Sequence, residues 1–474
     1  MTTLTTRSRA SVSSSGSTPV ATTRRRGPQL WRAAAITVIW ATSLFVVALW
    51  VAGGGVTAAI SMNAETVTTL GRLTGLVAAN LLLYQVLLMA RIPLFERGFG
   101  RDGITRLHRF VGFWSFWLMG AHIGLLAVGY AMAAGINPIV QLWSFIWDYP
   151  GMLLATAGTL LILLVVVTSI RRARRKLRYE SWHLLHLYAY LGVGLALPHQ
   201  LWTGADFLSS PIATLYWWSI WALAAVSVLV FRIGVPLLRS SRRALRVESV
   251  EQDGARGVTI HVGGRHLDRL GARAGQFFVW RFLDGPGWTR GHPFSLSAAP
   301  GRELTLTARV VGDGTQRLAV LSPGTRVIVE GPYGEMTGER RTATKLLMMG
   351  AGAGVAPLIS LLENEAYLPG DATLIARDSS VVDALRQGAI AQLVTGRGLR
   401  YLPLAGSRSS GPSSWIPATH EAWSGPDLLR HLIPDPDSYD VYICGAEAWM
   451  KDLRRDLVGA GFAPHRIHSE SFTI

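Results

Sequence analysis

Five histidines stand in the apolar first half of the chain, His108, His122, His183, His186 and His199. An ionisable side chain at membrane depth is costly, so its presence there points to function. Neutral imidazole is a good axial ligand for heme iron. His108 and His122 are fourteen residues apart, about 3.9 helical turns, so they share a face some 21 Å apart along the axis. His186 and His199 are thirteen apart, which matches those heights. If both helices run outward, His108 levels with His186 and His122 with His199, and two bis-histidine b-type hemes stack across the bilayer. One angle is discordant. Thirteen residues turn an ideal helix so that His186 and His199 point about 140° apart, and Gly192, Gly194 and Pro198 are the residues that could bend it. His183 lies sixteen residues from His199 and fits no better. Hydrogen bonding across a helix bundle explains one such histidine more easily than two height-matched pairs.

The elements that must hold these residues can be read from composition. Of 474 residues 49 % are apolar, and the apolarity is concentrated in the first half. Runs of about 20 apolar residues match a bilayer core of roughly 30 Å. The predicted organisation is a disordered basic arm over 1–29 and a six-span membrane unit over 30–240. The spans fall at 31–52, 67–90, 107–131, 150–170, 182–202 and 211–238. The arm through Arg32, the loop after span two and the loop after span four carry sixteen Lys and Arg residues; loops 53–66, 132–148 and 203–210 carry none. That asymmetry predicts a multi-pass cell-membrane protein with both termini cytoplasmic. It also accounts for much of the net charge of +16 without invoking nucleic acid. The single cysteine, Cys444, excludes a disulfide framework, a four-cysteine iron–sulfur cluster and a thiolate zinc site.

From about residue 244 the pattern changes. Short alternating strands such as Val258–Val262, Phe277–Phe282, Leu304–Val310 and Arg326–Val329 predict an antiparallel β-barrel over 244–340. Apolar strands at Lys345–Met349, Thr373–Ala376 and Val441–Cys444 then alternate with helical stretches, predicting an α/β parallel-sheet unit over 341–474.

His108…His122 and Tyr179-Glu180-Ser181-Trp182-His183-Leu184-Leu185-His186…Pro198-His199 resemble the ferric reductase and NADPH oxidase family. The resemblance covers nearly everything after residue 30, selects His186 over His183, and implies the inner and outer hemes just described. His292-Pro293-Phe294-Ser295-Leu296-Ser297 resembles that family's flavin-binding strand. Phe294 and the Ser295 hydroxyl would serve the ring of FAD and His292 its phosphates, with Ser297 in the same motif. Arg309 and Gly312–Thr315 offer a cation and backbone donors to a pyrophosphate, although the family's usual Trp is here Gly314 and a plain hairpin turn is the alternative. An apolar strand runs into Gly350, Gly352 and Gly354 and then into a helix with Pro357, where backbone amides can cradle a dinucleotide. Tyr442-Ile443-Cys444-Gly445 resembles the nicotinamide-side motif, which implies Cys444 near the transferring hydride; a buried small residue ending a strand is the plain reading. Ser407-Arg408 matches the position that holds the adenosine 2′-phosphate, and Arg408 favours NADPH; Asp378 argues mildly for NADH. Glu470-Ser471-Phe472 matches the terminal aromatic that covers the flavin.

The expected function is electron transfer from cytoplasmic NADPH through FAD and two hemes to an extracytoplasmic acceptor. Arg72, near the outer face, matches an arginine of NADPH oxidases and suits oxygen reduction to superoxide. Those oxidases usually place a histidine where this chain has Leu126, which leaves a ferric or cupric chelate as the alternative acceptor. Trp114 and Trp117 are candidates to lie between the hemes, with lipid-facing packing the other reading. A transporter or channel fused to a reductase predicts mid-membrane carboxylates, and no Asp or Glu lies deep in any span.

Overall fold

The structure, a computed structural model, describes residues 27–170 and 179–471. The arm to residue 26, the basic loop 171–178, Phe472 and the side chain of His183 lie outside the described residues.

The membrane unit comprises α1 (Gly27–Ala52), α2 (Ala64–Met89), α3 (Pro93–Ala134), α4 (Met152–Ser169), α5 (Tyr179–Leu195), α6 (Leu197–Trp202) and α7 (Pro211–Arg243). Helix α2 starts cleanly because Asn63 and Thr66 form a reciprocal cap. Among the described residues five helices are long and apolar enough to cross a membrane: Leu30–Ala52, Ala64–Met89, Gly103–Ala134, Met152–Ser169 and Pro211–Arg243. The stretch expected as a continuous fifth span is in two pieces. Helix α5 ends at Leu195, Ala196 is the joint, and α6 restarts with Pro198 in its first turn, where a missing N–H costs nothing.

Helices α1, α2 and α7 are joined by polar groups in an apolar setting. The fully buried Asn80 donates to Ser43 Oγ and accepts from the Tyr216 hydroxyl at 2.6 Å. Thr42 and Tyr84 share a 2.5 Å hydrogen bond. Such bonds hold helices together where apolar burial gives no preference for helix over lipid.

The following unit has strands β1 (Arg246–Asp253), β2 (Gly257–Gly263), β3 (Phe277–Phe282), β4 (His292–Ser295), β5 (Leu304–Arg309) and β6 (Val327–Tyr333). Where a barrel was expected, the described strands form two three-stranded antiparallel sheets, β1-β2-β5 and β4-β3-β6, joined by single bridges at Leu296–Leu306 and Arg246–Arg326. Trp280, Phe278, Ile260 and Leu306 are wholly buried between them, each contributing about 2 kcal/mol of apolar burial.

The last unit is a five-stranded parallel sheet of β7 (Lys345–Ala351), β8 (Ala372–Asp378), β9 (Arg400–Ala405), β10 (Tyr439–Gly445) and β11 (Ile467–Ser471), in the order β11-β10-β7-β8-β9. Helices α8 (Val355–Asn364) and α9 (Glu447–Gly459) flank it. Strands covered on both faces read as continuous apolar runs, as Leu346–Met349 and Val441–Cys444 do here.

Candidate functional site

Two of the membrane histidines, His108 and His186, come together as a pair. The rings of His108 and His186 lie 6.1 Å apart, centroid to centroid, inclined at 65°. Two imidazoles sharing one metal, each bond about 2 Å long, have centroids about 6 Å apart. His186 Nδ1 lies 3.2 Å from Ser169 Oγ, and Trp182 stacks against its ring at 5.0 Å. His122 Nδ1 meets the Gly71 carbonyl at 2.7 Å. A carbonyl only accepts, so Nδ1 carries the proton and Nε2 keeps the lone pair that a metal needs. His199 Nδ1 is buried without a hydrogen-bond partner. His108 Nδ1 is likewise buried without a partner. The His108–His186 pair could hold a bis-histidine heme.

The space around His122 is made by glycines. A Cβ on Gly75 would stand 2.3 Å from His122 Nδ1, and one on Gly71 would meet Leu126 at 2.9 Å. Gly71 and Gly75 form a G-x-x-x-G stripe on α2 that lets α3 approach closely. Sequence reasoning missed this stripe, and its spacing was the available signal. On the far side of α4, Gly158 and Gly192 face each other, where a Cβ on either would come within 3.0 Å of the other's carbonyl oxygen. Arg72, adjacent to the carbonyl that orients His122, is exposed. Trp114 and Trp117 are exposed, in an edge-to-face ladder with Phe110, Phe113 and Phe116. Lying six and nine residues beyond His108, they point about 120° and 180° away from it.

In the soluble half, the candidate nucleotide residues gather at the C-terminal edge of the parallel sheet, where open α/β sheets bind ligands. The strand order reverses between β7 and β10. There the Gly350–Gly354 loop crosses the end of β10 so closely that a Cβ on Gly354 would be 2.1 Å from the Cys444 carbonyl oxygen. Gly352 has φ +55°, a conformation glycine adopts at no steric cost. Pro357 is buried in the first turn of α8. A Cβ on Gly445 would meet Trp449 at 2.9 Å. Cys444 is fully buried beside the Glu470 carbonyl, 3.6 Å away, and burial pushes its thiol well above the ordinary range. It is a neutral, small wall of the crevice. Ser407 and Arg408 follow β9 with exposed side chains, and the buried Arg377 donates to the Ser407 carbonyl at 2.9 Å, supporting that loop from beneath.

On the flavin strand, Ser295 is buried in β4, and the His292 and Phe294 rings lie parallel 6.0 Å apart. A Cβ on Gly314 would come 3.2 Å from the His292 ring, so the glycine leaves this ring uncovered by a larger side chain. Ser297 differs from expectation: its wholly buried hydroxyl accepts from Thr307, which bonds Thr259 in a ladder across β2 and β5. The Thr315 hydroxyl caps its own helix through the amides of Val311 and Gly312, so those two donors do not face outward. Arg309 bridges the two soluble units. Its guanidinium pairs with Asp378 at 2.6 Å, donates to the Asp383 carbonyl, and lies 3.7 Å from a Cβ position on Gly352. That places it over the glycine loop, with Asp378 already engaged.

The family model described as "Ferric reductase like transmembrane component" matches residues 74–197, a segment that holds His108, His122 and His186 and stops two residues short of His199. The chain is 27 % identical over 213 residues to the reductase subunit of stachydrine N-demethylase from Rhizobium meliloti, covering 41 % of this chain and 57 % of that one. It is 30 % identical over 171 residues to the heme-binding subunit of a protein-methionine-sulfoxide reductase from Pectobacterium carotovorum, covering 36 % and 78 %. It is 25 % identical over 238 residues to dual oxidase 1 of Rattus norvegicus, covering 48 % and 14 %. The chain thus spans little more than half of the first of these relatives and a small part of the last.

Proposed function

The chain belongs to the ferric reductase-like transmembrane family, and on that premise we propose that it moves electrons from cytoplasmic NADPH, through FAD and two b-type hemes, to an acceptor beyond the membrane. The observation that carries this reading is the 6.1 Å pairing of His108 with His186 in a chain that also builds a dinucleotide crevice. Bound flavin would take the two electrons of a hydride and release them singly, and the hemes would pass them on. The chain's residues do the rest. His108 with His186, and His122 with His199, hold the inner and outer hemes; Gly71 and Ser169 orient two of the rings. The two-piece α5–α6 serves as the sixth span, with both termini cytoplasmic. Phe294 and Ser295 seat the flavin ring and His292 its phosphates. Gly350–Gly354 admits the nucleotide pyrophosphate, with Arg309 above it and Pro357 starting the helix behind it. Cys444 and Gly445 bound the nicotinamide pocket. Ser407 and Arg408 receive the 2′-phosphate. Replacing Arg408 by Ala is expected to raise KM for NADPH about tenfold, the loss of one charge-assisted contact, with KM for NADH changed far less. Equal changes for both nucleotides would remove the basis for NADPH.

Oxygen is the proposed acceptor, reduced to superoxide, with Arg72 supplying positive charge near the outer site. Leu126 favours a second reading: apolar and packed against Gly71, it offers no donor to oxygen, so a ferric chelate could be reduced at the same edge. The test is an optical spectrum of membranes with NADPH, with superoxide and ferrous-chelate production followed together. Superoxide at a modest rate and comparable ferric reduction are expected, and Leu126→His should raise the oxygen rate. Anaerobic ferric reduction with no superoxide in air would make the chain a metal reductase. Absence of any NADPH-driven heme signal would refute the proposal as a whole.

A further inference from the structure

The membrane and flavin units meet at one residue whose backbone is held in an unfavourable conformation. Arg91, in the turn between α2 and α3, has φ +66°. Non-glycine residues adopt that region rarely, and the surroundings must hold them there. Its guanidinium lies 4.9 Å above the ring of Tyr333, at the end of β6, and pairs with Glu96 at 3.4 Å. Tyr333 pairs with Phe277 in the sheet, their rings 5.6 Å apart, and Phe277 pairs with Ser295 of the flavin strand. A continuous set of contacts therefore runs from the turn that begins α3, the helix bearing His108 and His122, to β4.

Neighbouring contacts fix the same joint. Arg232 of α7 donates to the Met89 carbonyl at 3.0 Å, just before the turn. Arg239 donates to the Gly331 carbonyl and Ser240 accepts from the Val329 amide, both on β6. In α3 the helix is interrupted at Gly100, φ +62°, where a Cβ would come 2.9 Å from Glu335. Most of these contacts use backbone groups or flexible ends. Arg91 adds a planar cation on an aromatic face, an arrangement that fixes orientation as well as distance.

We propose that Arg91 is a positioning residue that holds the flavin unit in register with the inner histidine pair. The inference rests on the functional reading above: Arg91 sets the rate of electron handover from flavin unit to membrane, leaving NADPH oxidation by the flavin unit itself to other residues. Electron handover depends on the separation and orientation of the two units, so losing this contact is expected to be visible.

The test uses the full chain in lipid nanodiscs, as Arg91→Met, Arg91→Lys and Tyr333→Leu. Two quantities are measured: the ratio of anaerobic NADPH-driven heme reduction to NADPH–ferricyanide reduction, and amide hydrogen exchange of 327–334. Arg91→Met should lower the ratio several-fold and speed exchange at Tyr333 and Gly334. Arg91→Lys, which keeps charge but not the planar stack, should fall between, and Tyr333→Leu should resemble Arg91→Met. An unchanged ratio, or a fall in both reactions together, would overturn the proposal. If the unaltered chain reduces no heme, the functional reading fails; faster exchange in Arg91→Met would still establish the joint, and unchanged exchange would refute it.

Discussion

Gly75→Ala is expected to empty the outer heme site although it adds a single methyl group to a residue that ligates nothing. That methyl carbon would stand 2.3 Å from Nδ1 of His122 and 2.6 Å from Cε1, far inside van der Waals contact. The ring must swing away, breaking its 2.7 Å bond to the Gly71 carbonyl and with it the orientation that leaves Nε2 for a metal. Heme content should fall by about half, and NADPH-driven reduction of an external acceptor roughly a hundredfold, matching His122→Ala and His199→Ala. Ferricyanide reduction on the cytoplasmic side should be retained. Gly120→Ala, with nothing within 4 Å of its added carbon, is the control and should keep both hemes. A full two-heme spectrum in Gly75→Ala, or in His199→Ala, would show that the outer pair is misassigned.

The second large effect concerns the nucleotide. In Gly354→Ala the new carbon would lie 2.1 Å from the Cys444 carbonyl oxygen and 2.6 Å from its carbon. Those are backbone atoms of a buried strand and have no rotamer to change, so the start of α8 and the end of β10 must part. Because the loop gathers its amides only while it stays against that strand, NADPH oxidation with any acceptor should fall at least about a hundredfold. Flavin and heme content, measured by absorbance, should remain near normal. Gly388→Ala, open around its added carbon, should be silent. Retained turnover in Gly354→Ala would mean that the glycine loop does not bind the dinucleotide, whatever its resemblance.

Local pattern was enough for the elements. Runs of apolar residues predicted the helices now seen, because burial in lipid or protein imposes hydrophobicity residue by residue. The strand stretches Val258–Val262, Phe277–Phe282, Lys345–Met349, Thr373–Ala376 and Val441–Cys444 all fall within β2, β3, β7, β8 and β10, since alternation and apolar runs report a strand's own faces. The spacings of His108, His122, His186 and His199 suggested facing histidines on two helices, a consequence of fixed rise per residue; the 6.1 Å approach of His108 to His186 is a contact of the folded chain.

Partner identity was not legible in the same way. The close approach of α5 to α4 through Gly192 and Gly158 is a contact between helices and not within one. Gly71 and Gly75 carry a spacing signal, but which side chains they meet, Leu126 and His122, is set by the helix opposite. Arg309 was read as a ligand for the flavin's own phosphates, but the fold carries it to Asp378 and Gly352 of the next unit, 69 residues from Arg309 in the case of Asp378. Ser297 was placed in the flavin motif and Thr315 in a run of backbone donors, yet the Ser297 hydroxyl joins the Thr259–Thr307 ladder and the Thr315 hydroxyl caps its helix. Residue types and spacings determined the membrane and sheet elements and the kinds of chemistry they carry. Which polar group faces a ligand and which is consumed by the fold was decided only by tertiary packing, because a hydrogen bond is claimed by whichever partner the folded chain brings within 3 Å.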